Sequence, residues 1–80
     1  MRFRKGDRLV LVDSNGIAAK KGAKVIVFKG TFKHSGFGDM VGVEWVDGKA
    51  CGQMDGEYEA WRFVKDEVWK ARRKERKLVI

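Results

Sequence analysis

Val41, Val43 and Trp45 alternate with Gly42, Glu44 and Val46, the clearest periodic segment of the chain. A period of two belongs to a strand that buries one face, and the Asp47-Gly48 pair that follows is a hairpin-turn signal. Upstream, Arg8-Leu9-Val10-Leu11-Val12 is a short apolar run between Gly6-Asp7 and the turn-forming cluster Asp13-Ser14-Asn15-Gly16. It predicts a first strand and then a loop continuing to Gly22. The β-branched and aromatic residues Val25, Ile26, Val27 and Phe28 predict a second strand over 23–29, and Gly30 then opens a polar, glycine-punctuated loop over 31–38. Lys49 to Met54 returns as a short fourth strand, Asp55-Gly56 turns the chain again, and Trp61-Arg62-Phe63-Val64 supplies a fifth.

Beyond Val64 the pattern changes. Residues 65–77 contain no glycine, and Val64, Val68 and Ala71 fall at i, i+4 and i+7, one face of a helix. Five short strands with no long crossover helix between them are best closed into a small antiparallel barrel, because closure hides edges that an open sheet exposes. The expected fold is therefore mainly all-β: a five-stranded barrel over 1–64 with Leu9, Leu11, Val25, Val27, Val43 and Trp45 in its core, and a basic C-terminal helix or tail over 65–80.

The order of motifs carries a resemblance. Gly6-Asp7-Arg8-Leu9-Val10-Leu11, Gly22-Ala23-Lys24-Val25, Val41-Gly42-Val43-Glu44-Trp45-Val46-Asp47-Gly48 and Trp61-Arg62-Phe63 together resemble SH3-like barrels of the KOW type and related small phage-encoded domains, over roughly residues 3–64. The resemblance implies that Gly-Asp opens the first strand, that the later glycine precedes the second, and that the Val-x-Val-x-Trp run forms the central third. Ala23-Lys24-Val25 stands where a KOW motif usually has a glycine and small residues, so what the resemblance implies is a fold and not a ribosomal or polymerase role.

Eighty residues allow one domain with one modest core. The longest aliphatic or aromatic run is Val25-Ile26-Val27-Phe28, far short of the roughly 18 to 20 apolar residues that cross a bilayer, so no membrane partner is expected. The start, Met1-Arg2-Phe3-Arg4-Lys5, leads into no apolar signal region, and the single cysteine, Cys51, cannot form an intramolecular disulfide or a cysteine metal cage. These features lead to the expectation of a cytoplasmic protein.

Catalytic patterns are missing. His34 and Cys51 are the only residues of their kinds, Ser14 and Ser35 stand in no nucleophile-elbow context, and Lys29-Gly30-Thr31 lacks the order of a phosphate-binding P-loop. Asp55, Glu57 and Glu59 alternate beside a turn, the arrangement of a solvated acidic face, and Cys51 suits a small, half-buried apolar position. The sequence therefore predicts no enzyme activity, no cofactor and no metal.

Charge is segmented. Residues 1–38 hold nine Lys/Arg against two acids, residues 39–64 hold two against six, and residues 65–80 hold seven against three, for a net charge of +7. Such asymmetry points towards polyanions. In the loop after strand two, Lys29, Phe32, Lys33, His34 and Phe37 interleave cations and rings with glycines, which suits phosphate contacts and base stacking. The alternative for Phe32 and Phe37 is that both turn inward and plug the barrel end. Lys20 and Lys21, with Lys24 and then Arg2, Arg4 and Lys5, extend the same basic character, and Lys70, Arg72, Arg73, Lys74, Arg76 and Lys77 place six cations within eight positions of the tail. Trp69, just before this cluster, suits an anchor of the helix on the barrel. The expected function is a non-catalytic accessory module that contacts nucleic acid, DNA or RNA, or a nucleoprotein complex. The alternative is a phage-type regulatory module that binds a host or partner protein through Met54, Tyr58 and Trp61 on the barrel face.

Overall fold

The structure, a computed structural model, describes residues 2–78, and the side chains of 2–72. Its elements are β1 (Arg8–Leu11), β2 (Lys24–His34), β3 (Gly38–Trp45), β4 (Gly56–Glu59), β5 (Phe63–Lys65) and the helix α1 (Asp66–Leu78), with short 3-10 turns at Gly48–Ala50 and Ala60–Arg62. The strands form one antiparallel sheet in the order β4-β3-β2-β1-β5. The sheet curls around a single core, since Trp45 at the end of β3 meets Phe63 of β5, two strands that share no ladder, with ring centroids 6.0 Å apart. The architecture is thus mainly β and barrel-like, with a C-terminal helix.

β2 is the strand around which the sheet turns. Its first residues pair with β1 in the register Arg8↔Ile26, Leu9↔Val25 and Val10↔Lys24, while its whole length follows β3, from Val25↔Trp45 to His34↔Gly38. The register shifts between Val27 and Lys29 and again between Lys29 and Phe32. Such irregularities bend a strand and increase its twist, so that one strand serves both halves of a closed sheet. At the bend, a Cβ on Gly42 would stand 2.8 Å from the Cβ of Lys29 and 2.9 Å from the Phe28 ring. Only glycine lets those side chains lie across β3.

The expected elements are corrected at four places. Residues 31–34 are strand and not loop: Phe32↔Met40 and Lys33↔Asp39 continue the ladder almost to the tip, where Gly38 takes a φ of +74°. Asp47-Gly48 does not make a two-residue hairpin, because the Asp47 side chain accepts from the Lys49 N–H and caps a 3-10 turn instead. The fourth strand consequently falls at Gly56–Glu59 rather than over 49–54, and Trp61 and Arg62 complete a 3-10 turn before β5.

The core matches the period-two expectation for Leu9, Leu11, Val25, Val27 and Val43, all at most 1% exposed, whereas Trp45 is half-buried. Val41, Phe63, Ala23 and Phe3 join them. Phe3 supplies the core with the bulky ring that the inward alternative assigns to Phe32 and Phe37. Phe37 is 63% exposed, and Phe32 is half-buried under the Lys29 ammonium, 4.2 Å from its ring centre. Cys51 is exposed, with a φ of +53°, rather than half-buried. α1 packs on β1 and β5. Val64 belongs to β5, so Val64, Val68 and Ala71 do not form one buried helical stripe; Val68 and Ala71 are exposed and Trp69 is half-buried.

Replacing Phe3 by alanine should therefore cost roughly 3 to 5 kcal/mol of unfolding free energy, while Phe37→Ala should stay within about 0.5 kcal/mol. Urea denaturation of the two variants checks the assignment of the plug.

Candidate functional site

The N-terminal segment is fastened to the bend of β2. Phe3 donates its N–H to Thr31 Oγ1 at 2.8 Å, and the Thr31 N–H returns a bond to the Phe3 carbonyl at 3.0 Å. Gly6 N–H reaches the Val27 carbonyl, and the Val27 N–H reaches the Asp7 carbonyl. Gly30 allows the close approach, since a Cβ there would lie 3.0 Å from the Phe3 carbonyl oxygen. With its ring buried and its backbone paired, Phe3 holds Arg2 and Arg4 outside, on either side of itself, and both are exposed.

The result is a cationic concavity. Arg2, Arg4, Lys5 and Lys65 line a cleft of about 600 Å³ floored by Gly30 and Thr31. Among the described residues Asp7 is the only acid on its wall, and its Oδ2 accepts the Arg4 N–H at 2.9 Å. None of the four cations forms an ion pair with a described residue; the cations that do are Lys29, Arg62 and Lys70. Four basic side chains around one dent focus a positive potential into it. Beside the cleft, and sharing Arg2, Phe3 and Lys65 with it, lies an apolar groove of about 230 Å³ walled also by Phe63, Val64 and Val68.

α1 carries the same character away from the barrel. Lys70 pairs with Asp66 at 3.2 Å, one turn earlier, and Arg72 is exposed one turn after Val68. Asp66 and Glu67 occupy the first turn, where carboxylates suit the helix dipole. The side chains of Arg73, Lys74, Arg76 and Lys77 lie outside the described residues.

The β2–β3 hairpin is less free than its sequence suggests. Gly42 separates Lys29 from Glu57 across three strands, and its missing side chain lets their charged groups meet at 3.1 Å. Lys33 stands opposite Asp39 in the ladder. At the tip, His34 accepts the Gly36 N–H through Nδ1, and its ring lies 5.1 Å from that of Phe37.

At the far end, Lys20 and Lys21 are exposed on the β1–β2 loop, and the Lys20 N–H bonds the Lys49 carbonyl at 2.8 Å. Gln53 Oε1 accepts from the Ala18 and Ala19 N–H groups, tying that loop to the β3–β4 loop. Arg62, 8% exposed, closes the same end: Nη1 donates to the carbonyls of Asn15 at 2.7 Å and Asp13 at 3.2 Å, Nε donates to Glu59 at 3.1 Å, and its guanidinium lies 4.7 Å from the Trp61 ring centre. Tyr58 donates its hydroxyl to the Met54 carbonyl, which also accepts from Trp45 Nε1. Of the expected protein anchors, Met54 and Trp61 are thus exposed, at 79% and 51%, while Tyr58 is half-buried against the core with its hydroxyl hydrogen-bonded. Asp55, Glu57 and Glu59 do not converge on a common point but serve the Trp45 N–H, Lys29 and Arg62 in turn.

The structure therefore brings Arg2, Arg4, Lys5 and Lys65 together, and sets Lys20 and Lys21, the hairpin and the tail at separate places. Lys65 was missed in sequence as a partner of the N-terminal cations because only the β1–β5 register, Leu9↔Lys65, brings it beside them. The chain matches no protein-family model, no curated protein and no solved structure.

Arg62's hydrogen bonds, together with Glu59's own backbone N–H, hold the Glu59 carboxyl below its ordinary value of 4.5 against the opposing effect of burial. A lowered folded-state pKa stabilises the protein above the unfolded-state value, and this contribution is lost as the pH falls through the folded-state one. Glu59→Gln should accordingly be less stable at neutral pH and should lose less stability on acidification than the unsubstituted protein. Denaturant midpoints across the acid range measure both.

Proposed function

We propose that this chain is a non-catalytic binding module, an SH3-like barrel of the KOW or a related small phage-encoded type, that contacts the phosphate backbone of nucleic acid, alone or within a nucleoprotein complex. The observation that carries this reading is the cleft in which Arg2, Arg4, Lys5 and Lys65 converge around a single carboxylate. Cations without carboxylate partners hold counter-anions that a nucleic acid replaces, with release of its own condensed counterions. Lys65 leads directly into α1, whose sequence is itself rich in cations. Backbone contacts of this kind position a strand without reading its bases.

A partner protein is the second reading, favoured by Met54 and Trp61, whose apolar side chains stand exposed on loops fixed by internal hydrogen bonds. Salt separates the two: an aromatic-anchored interface is far less sensitive to ionic strength than a phosphate contact.

Fluorescence anisotropy with a labelled single-stranded oligodeoxynucleotide over a salt series tests the proposal. Affinity should fall steeply with salt, and Arg4→Ala and Lys5→Ala should each flatten the log–log slope by about one unit. Lys29→Ala, which removes a cation already paired with Glu57, should change the slope much less. Binding that ignores salt, or slopes that ignore the cleft, would overturn it.

A further inference from the structure

The groove beside the cationic cleft differs from it in chemistry. Its walls are Phe3, Phe63, Val64 and Val68, with Arg2 and Lys65 at the rim. Phe3 and Phe63 are buried, Val64 is half-buried and Val68 is 39% exposed, so the groove is a shallow apolar depression resting on the core, its accessible surface given mainly by Val64 and Val68. At about 230 Å³ it is smaller than the pockets that enclose drug-sized ligands. It suits one flat or branched apolar group.

The cleft and the groove share Arg2, Phe3 and Lys65. A ligand whose anionic part lies among the four cations therefore reaches the groove with its next group, without crossing any other surface. A single nucleic-acid strand has this composition: a phosphate, then a base with an apolar face. In a duplex the bases are stacked inside and cannot lay a face against a protein surface. An acidic peptide could also place an apolar side chain there, but the cation density of the cleft, with one hydrogen-bonded carboxylate among four basic groups, fits the continuous charge of a phosphate backbone better.

Resting on the nucleic-acid reading above, we infer that the groove between the N-terminal segment and α1 takes an unpaired base, so that the protein prefers single strands to duplexes. Among the described residues the lining offers no hydrogen-bonding side chain apart from the rim cations, so the base is accepted without regard to its identity.

The test compares three labelled oligodeoxynucleotides of equal length: a mixed-sequence single strand, the same strand with abasic sites throughout its centre, and the duplex. The ordinary strand should bind about tenfold more tightly than the abasic strand, which carries the same phosphates. Val68→Gln, at a position exposed enough to keep the fold, should bring that ratio close to one while leaving the abasic strand's affinity and salt slope unchanged. Methyl resonances of Val64 and Val68 in the unsubstituted protein should shift with the ordinary strand and not with the abasic one. Equal binding of the two single strands, or tighter binding of the duplex, overturns the base site and leaves the phosphate contact standing. A base preference that survives V68Q but is lost in Phe37→Ala also overturns it, because the base then stacks on the hairpin. If a polyglutamate peptide with interspersed leucines displaces the strand better than polyglutamate alone, and shifts the same valine methyls, the groove is a protein site. Absence of salt-dependent binding by either single strand overturns the nucleic-acid reading itself, and the base site with it.

Discussion

The reciprocal bond between Phe3 and Thr31 is the contact on which both the core and the cationic cleft depend. Its ring closes the end of the core, and its N–H and carbonyl engage the Thr31 hydroxyl and amide. A short N-terminal segment usually frays unless something ties it down. Here the tie is a buried aromatic ring together with two hydrogen bonds, and its consequence is electrostatic: Arg2 and Arg4, which flank Phe3, cannot leave the surface without extracting the ring from the core. A segment that would otherwise scatter its charge becomes one wall of the cleft, with Lys65 of β5 as another.

The bend of β2 makes this docking possible. Irregular register at Val27, Lys29 and Phe32 re-aims the strand, and Gly30 at that place leaves room for the Phe3 carbonyl. At the opposite end a different device is used. Arg62 is a buried cation, and burying a charge is tolerable only when its donors are satisfied. Glu59 and the Asp13 and Asn15 carbonyls satisfy them, which fixes the β1–β2 loop that displays Lys20 and Lys21. The two ends are thus built separately, one by an aromatic plug and one by a guanidinium, on a sheet common to both.

Much of the sheet is legible from local pattern. β3 shows itself by alternation and β1 by a short apolar run, buried at Leu9, Val10 and Leu11, between turn residues. β2 was shortened in that reading because Gly30 and a run of polar residues looked like a loop, whereas cross-strand pairing with β3 holds them in a ladder. Asp47-Gly48 carries two compatible meanings, a hairpin turn or a capped 3-10 turn, and the Lys24 and Lys49 N–H groups that donate to the Asp47 carboxylate decide between them. Charge was legible as amount and not as place. The cations of 29–33 looked free, yet Lys29 meets Glu57 only because Gly42 lies between them, a relation that no local pattern contains. Phe3 was hidden among cations at the start of the chain; the signal that could have found it is a lone large ring between two arginines, spaced so that one face buries and the other is charged.

Native-state amide hydrogen exchange tests the docking of the N-terminal segment most directly, because the Thr31 N–H is bonded to the Phe3 carbonyl and the Gly6 N–H to the Val27 carbonyl. If the segment is an integral part of the core, the Thr31 and Gly6 amides open with a free energy close to that of the β1–β2 pairing, reported by Leu11, whose N–H bonds the Ala23 carbonyl. Thr31 and Gly6 amides that exchange orders of magnitude faster, while Leu11 stays protected, would show the segment detached and would contradict a preformed cationic cleft.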